Sequence, residues 1–220
     1  AVQGYPAAND NLARLHESGE GVPRNIGKAI ELFTVAANGG RELALLHLGS
    51  LYSEGSVVAR DDAKAFGWYD KAARQGSDEG QNLLAQMHAK GRGTPQSDVQ
   101  AVFWWRKAAE QGYRPAQNQL GLMYDLGKGV ARDAVQAVSW YRKAADGGNA
   151  SAMLNLGTMY ECGSGVGKDL VAAKTWYLNA MKADEPAGMR AAIRLDQAAR
   201  HAAMPGLRDG STAVAGPCKP

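Results

Sequence analysis

Apolar residues recur along the chain in short stripes, and each stripe has the spacing of one helix face. Ala116, Leu120, Met123 and Tyr124 stand at i, i+4, i+7 and i+8, the period of an amphipathic helix. Gly127-Lys128-Gly129 closes the stretch, because glycine accepts the left-handed backbone of a helix C-terminus. A second stripe follows at Ala137, Trp140, Tyr141, Ala144 and Ala145 and stops at Asp146-Gly147-Gly148. Asp133 stands just before it and can accept backbone N–H groups of the first turn. The pattern predicts a first helix over about 116–126, a loop, and a second helix opening after Asp133.

This hairpin is one copy of a unit that repeats. Leu32, Trp68, Trp104, Trp140 and Trp176 fall 36 residues apart without slippage. The columns Ala29/Ala65/Ala101/Ala137/Ala173, Leu12/Leu48/Leu84/Leu120/Leu156 and Gly19/Gly55/Gly91/Gly127/Gly163 keep the same register. Asn25, Asp61, Ser97, Asp133 and Asp169 form a column of helix-capping types. One hairpin of this size cannot close a core, so stacked neighbours must bury a continuous one. Five units therefore predict an all-α α-solenoid, and its expected hand is right-handed. Gly49, Ala85, Gly121 and Gly157 follow the leucines and allow close helix approach. The tryptophan column is expected to fill the space beside them, so that Trp140→Ala costs about 3–5 kcal/mol.

The residues Ala116, Leu120-Gly121, Met123-Tyr124, Gly127, Gly129-Val130, Asp133, Ala137, Trp140-Tyr141, Lys143-Ala144-Ala145 and Gly148 resemble the Sel1-like repeat, a relative of the tetratricopeptide repeat. The resemblance covers about residues 7–200. There are departures. The first unit has Leu32-Phe33 where Trp-Tyr is usual, and the second has Val57 for a loop glycine. The third has Thr94-Pro95-Gln96 between its helices, so its loop is expected to differ locally. The fifth has Asp184 where glycine is expected, which weakens the stop signal. Residues 186–201 read as a capping helix, with Ile193 in the small column and Asp196 in the tyrosine column. A single solenoid domain over 1–203 is expected, followed by a flexible Gly-, Pro-, Ser- and Thr-containing tail over 204–220.

The resemblance implies a protein-binding scaffold. Members of the family act as adaptors in signalling, envelope regulation and host interaction, and some are immunity proteins against secreted toxins. Some have been described as binding or slowly hydrolysing β-lactams. By the same resemblance, the first helices line a concave face. The candidate groove on it comprises Leu46, His47, Asn82, Leu83, Gln86, Asn118, Gln119, Leu122, Leu154 and Asn155. Each amide offers a donor and an acceptor to a partner's backbone. The leucines serve either as apolar anchors or as packing against the next repeat.

The chemistry of catalysis is missing from the sequence. No H-x3-H or C-x2-C pair suggests a metal, no P-loop spacing occurs, and S-x-x-K is absent. Gly163-Ser164-Gly165-Val166-Gly167 belongs to a repeat turn. His16 and His88 fall in the tyrosine column and read as half-buried core; His201 suits a helix C-terminus. Arg24, Arg60, Arg132 and Lys168 form a basic loop column, read as a solvated edge. Hydrophobic residues at 45% and charged residues at 21% fit a globular chain rather than a disordered one. No apolar run is long enough to span a membrane as a helix. The net charge of +3 is spread along the chain and gives no reason to expect nucleic acid.

Cys162 and Cys218 are the two cysteines. A bridge between them is geometrically allowed, and the sequence leaves it undetermined. The chain begins Ala1-Val2-Gln3, which fits a removed leader and equally a fragment. A periplasmic or secreted location is expected, with the cytoplasm as the alternative. The reading is a non-enzymatic module without cofactor or metal, binding a specific protein or peptide in a bacterial envelope or secretion setting. The alternatives are an immunity protein that neutralises a secreted effector, and an enzyme acting on β-lactams or peptidoglycan.

Overall fold

The computed structural model describes residues 5–203 and Cys218. The rest of the segment read as a flexible tail, 204–217 and 219–220, lies outside the described residues. Within them the chain forms eleven helices: α1 (Pro6–Ser18), α2 (Ile26–Asn38), α3 (Glu42–Glu54), α4 (Asp62–Arg74), α5 (Asp78–Lys90), α6 (Asp98–Glu110), α7 (Arg114–Leu126), α8 (Ala134–Asp146), α9 (Ala150–Cys162), α10 (Leu170–Lys182) and α11 (Ala187–Ala203). They fall into two compact units, Ala1–Gln111 and Gly112–Pro220. The first holds the hairpins α1–α2, α3–α4 and α5–α6. The second holds α7–α8 and α9–α10, with α11 packed on α10.

The helix ends follow the capping column. Asn25, Asp61, Ser97, Asp133 and Asp169 each accept a backbone N–H from the first turn of the second helix. Their own N–H groups donate back to the carbonyls of His16, Tyr52, His88, Tyr124 and Tyr160 at 2.8–3.0 Å. Each loop is thus latched at the same two points. The third loop, expected to differ, keeps this latch and also donates Arg92 N–H to Met87 O, as Lys128 does to Met123 O. The fifth repeat also keeps its stop: Asp184 takes φ 70°, the left-handed backbone that a short polar side chain tolerates best after glycine. Glycine is required more strictly at Gly93 and Gly165. Both have positive φ, and a methyl there would stand 2.1 Å from the carbonyl oxygen of Asp62 or Ala134, at the start of the preceding repeat's second helix.

The packing corrects one expectation. The ring beside Gly121 belongs to Tyr141, not Trp140: a methyl at Gly121 would stand 2.7 Å from Tyr141 Cδ1. Tyr69 stands in the same way against Gly49, and Tyr177 against Gly157. Tyr141 is 1% exposed, whereas Trp140 is half-buried with Lys143 Nζ 4.0 Å over its ring. The reason is angular. Ala137, Tyr141, Ala144 and Ala145 lie at i, i+4, i+7 and i+8 and form the inward line. Trp140 sits one position, about 100°, to the side. Trp104 departs from this arrangement and is buried.

The last helix behaves as a cap. Ala192 and Leu195 are buried, while Met189 and Ile193 face outward. Asp196 pairs with Lys174 at 2.6 Å. Cys162, at the end of α9, is bonded to Cys218 in a disulfide.

Candidate functional site

The ten candidate residues divide by unit and by what already engages them. In the first unit Leu46 packs against the core made by Ala29, Phe33 and Leu48. His47 is not an idle groove histidine: its Nε2 lies 2.8 Å from Glu17 Oε2 on α1, and its ring lies 4.5 Å from that of Phe33. It ties α3 to the first hairpin. Asn82 is 4% exposed, and its Oδ1 has no hydrogen-bond partner. Leu83 and Gln86 line a crevice of about 40 Å³ with Ser53, Tyr69, Lys90 and Arg92.

In the second unit Asn155 Nδ2 donates to Asn118 Oδ1 at 3.0 Å. The two amides bridge α7 and α9, and the pair retains the Asn118 NH₂ and the Asn155 carbonyl oxygen for a further bond. Gln119 is half-buried beside them. Leu122 packs against the core of Tyr141 and Leu156, and Leu154 packs against that of Tyr177 and Leu195. Three of the four leucines therefore also belong to the packing.

Two polar clusters escaped the sequence reading. Arg92 reaches from the third repeat to Asp62 Oδ1 at 2.6 Å and Ser53 O at 2.8 Å. With Arg60 on its other oxygen, the Asp62 carboxyl is held well below the usual carboxylate range, mainly by hydrogen bonds from the two guanidinium groups. The signal was legible: Arg92 is the one arginine in the column of Glu20, Ser56, Lys128 and Ser164. The second cluster joins Glu161 of α9 to the Tyr177 hydroxyl at 2.6 Å and to Arg194 of α11. Burial, and then the hydrogen bond to Glu161, push the Tyr177 phenol up to about 12. Both clusters clasp neighbouring helices.

The other residues singled out from sequence take structural places. His16 and His88 are half-buried, and burial lowers the His88 pKa. The side chain of His201 lies outside those described. In the basic loop column, Arg24 donates to Glu17 O and Arg132 to Asp125 O, each at 3.0 Å. These guanidinium groups satisfy last-turn carbonyls. Among the described residues no group of three or more His, Cys, Asp or Glu side chains is placed to hold a metal ion. No described helix is long and apolar enough to cross a membrane.

The Sel1 repeat model matches residues 6–40, 43–77, 78–113, 114–149 and 150–184. The chain belongs to the Sel1 repeat family. Its five matched Sel1 repeats coincide with the five hairpins. Among solved structures it is similar to a Sel1 repeat protein from Oxalobacter formigenes, with 32% identity and a TM-score of 0.78 over 86% of this chain and 75% of that one. It is also similar to a protective antigen of uropathogenic Escherichia coli strains that displays an SLR fold, with 37% identity and a TM-score of 0.76 over 82% of this chain. The match spans 38% of that antigen's length. An immunity protein from Pseudomonas aeruginosa matches 86% of this chain and 69% of its own, with 23% identity and a TM-score of 0.53, and so shares the fold. No curated protein matches the chain.

Proposed function

We propose that this Sel1 repeat chain is a non-enzymatic binding module for a specific protein or peptide, and that the α7–α9 face of the second unit is a principal contact surface. One observation carries the reading. The recurring residues are consumed by packing and capping, while Asn118, Gln119 and Asn155 stand in two columns that vary from repeat to repeat, Asp10/Leu46/Asn82/Asn118/Leu154 and Asn11/His47/Leu83/Gln119/Asn155, and keep partial exposure. Amides of this kind match the alternating donors and acceptors of a peptide backbone. Leu122 and Leu154 supply apolar surface at the edges of the same face. In the first unit, Leu83 and Gln86 form a smaller patch of the same chemistry, while Leu46, His47 and Asn82 support the scaffold beneath it. No cofactor is required by this reading.

The compartment is proposed to be extracytoplasmic, with a bacterial envelope or secretion setting. The Cys162–Cys218 disulfide supports it, because such bonds persist where the surroundings are oxidising. An immunity role, with one-to-one capture of a secreted effector, is a special case of the same proposal. The fold shared with the Pseudomonas immunity protein is compatible with it.

A photo-crosslinking amino acid at Gln119, with a second at the exposed Val135 of α8 as control, tests the surface in the source cells. The expected result is one dominant protein adduct from position 119 and none from 135. No adduct at 119, or the same adducts from both positions, overturns the assignment. Hydrolysis of nitrocefin by the pure chain would overturn the non-enzymatic reading.

A further inference from the structure

Glu31, Gly67, Phe103, Ser139 and Thr175 form one column of the repeat. Only the third repeat places a large apolar side chain there. Phe103 is 46% exposed, so packing does not account for it. Its ring meets Trp104 edge-on with centroids 5.0 Å apart. Lys107 Nζ stands 4.8 Å from the Phe103 centroid and 5.2 Å from that of Trp104. These three side chains, with Arg74 from the end of α4 and Gln81 and Gln100, line a cavity of about 590 Å³ in the first unit. That volume is in the range of sites that hold small ligands or side chains.

The lining is one-sided in charge. It contains two cations and two amides, and no carboxylate. Asp70 lies outside it and engages Arg74 Nε at 2.7 Å. Gln81 is committed to the wall, because it bonds Ala73 O and Gln111. An ammonium held over aromatic faces has lost part of its water shell, which favours a carboxylate over water as its remaining partner. The exposed Phe103 face is a platform for a second ring.

We propose that this cavity binds an acidic peptide segment, with an aromatic side chain lying on Phe103 and an adjacent carboxylate meeting Lys107 and Arg74. It rests on the reading of the chain as a protein-binding module, but it uses a different unit and none of the α7–α9 residues. The favoured partner is thus an extended segment carrying an aromatic residue next to Glu or Asp.

The test is titration of the isotopically labelled full chain with acetyl-Gly-Phe-Glu-Gly-amide, followed by amide chemical shifts. Saturable shifts confined to residues 73–76 and 100–107 are expected. Replacing Glu by Gln in the probe, or Phe by Ala, weakens binding about tenfold, as does Lys107→Gln in the protein. Phe103→Ala abolishes the shifts and lowers the thermal midpoint only slightly, since nearly half of the side chain is exposed. The proposal is overturned by an absence of saturable shifts, by equal binding of the Gln probe, or by undiminished binding to Phe103→Ala. Tighter binding of acetyl-Gly-Gly-Phe with a free carboxylate would overturn the internal segment in favour of a chain terminus. Crosslinking through position 119 is read separately, so loss of one site leaves the other measurable.

Discussion

Repeats three and four run the same 36-residue pattern and spend it differently. In repeat four a glycine and a tyrosine interlock, Gly121 under Tyr141, and Trp140 lies to the side beneath Lys143. Repeat three has Ala85 and Trp105 at the interlocking positions, both buried, and its Trp104 is buried as well. It also adds Phe103 where repeat four has Ser139. Repeat four thus presents a plain outer face, and repeat three presents a platform with a cavity beside it. The core tolerates this exchange because Gly–Tyr and Ala–Trp each pair one small and one large residue, so filling the space matters more than the identity of the ring. What distinguishes one repeat from another lies in the columns that the core does not use.

The largest effect expected from this comparison is at the interlock. Tyr141→Ala should cost about 3–5 kcal/mol in denaturant unfolding, and Trp140→Ala no more than about half of that. Equal losses would mean that the tryptophan column carries the core after all. Gly121→Ala forces a methyl against the Tyr141 ring and should cost about 1–3 kcal/mol. The double variant Gly121→Ala/Tyr141→Trp, which copies repeat three, should lose less than the sum of its two single changes; simple additivity would break the equivalence of the two pairs.

Alkaline pH offers a subtler contrast. Burial, and then the nearby Asp125 carboxylate, raise the Tyr141 phenol pKa above the ordinary value near 10. In the unfolded chain that phenol ionises near 10, so the native state holds its proton to higher pH. Its contribution is fully present below pH 10 and falls as pH rises beyond it, by at most about 1.4 kcal/mol per pH unit. Trp105 has no hydroxyl and contributes nothing of the kind. Unfolding free energies measured at pH 8 and pH 11 should therefore draw closer together in Tyr141→Phe. The smallest effect is at the caps: Asp133 accepts two first-turn N–H groups and Ser97 accepts one. Asp133→Ala should cost about 1 kcal/mol and Ser97→Ala less, both read from denaturant midpoints.

The repeat, the helix boundaries and the caps were legible because each depends on neighbours within one hairpin. Asp133 and its column could be assigned from type and position alone. The role of the tryptophans was misread because size was given more weight than angle. The line through Ala137, Tyr141 and Ala144 was available in the sequence, and it passes beside Trp140. The candidate groove was less legible. Whether Asn118 meets Asn155 depends on the register between α7 and α9, residues 37 apart, and periodicity does not set side-chain direction across that gap. The engagement of His47 by Glu17 likewise needs both hairpins in place. Phe103, by contrast, was visible as the odd member of its column and needed only to be compared with its siblings.

The Cys162–Cys218 bond has a mechanical consequence. A pull on the C-terminus passes through the sulfur bridge into α9 and bypasses α10 and α11, which lie inside a covalent ring spanning 56 positions. Those two helices bear no tension while the bridge holds, however the rest of the chain is stretched. At about 3.4 Å per extended residue, some 190 Å of contour length stays hidden, and reduction releases it. A chain tethered at both ends in an oxidising space would thus keep α10 and α11 from being unravelled by force, while α9 stays in the line of tension.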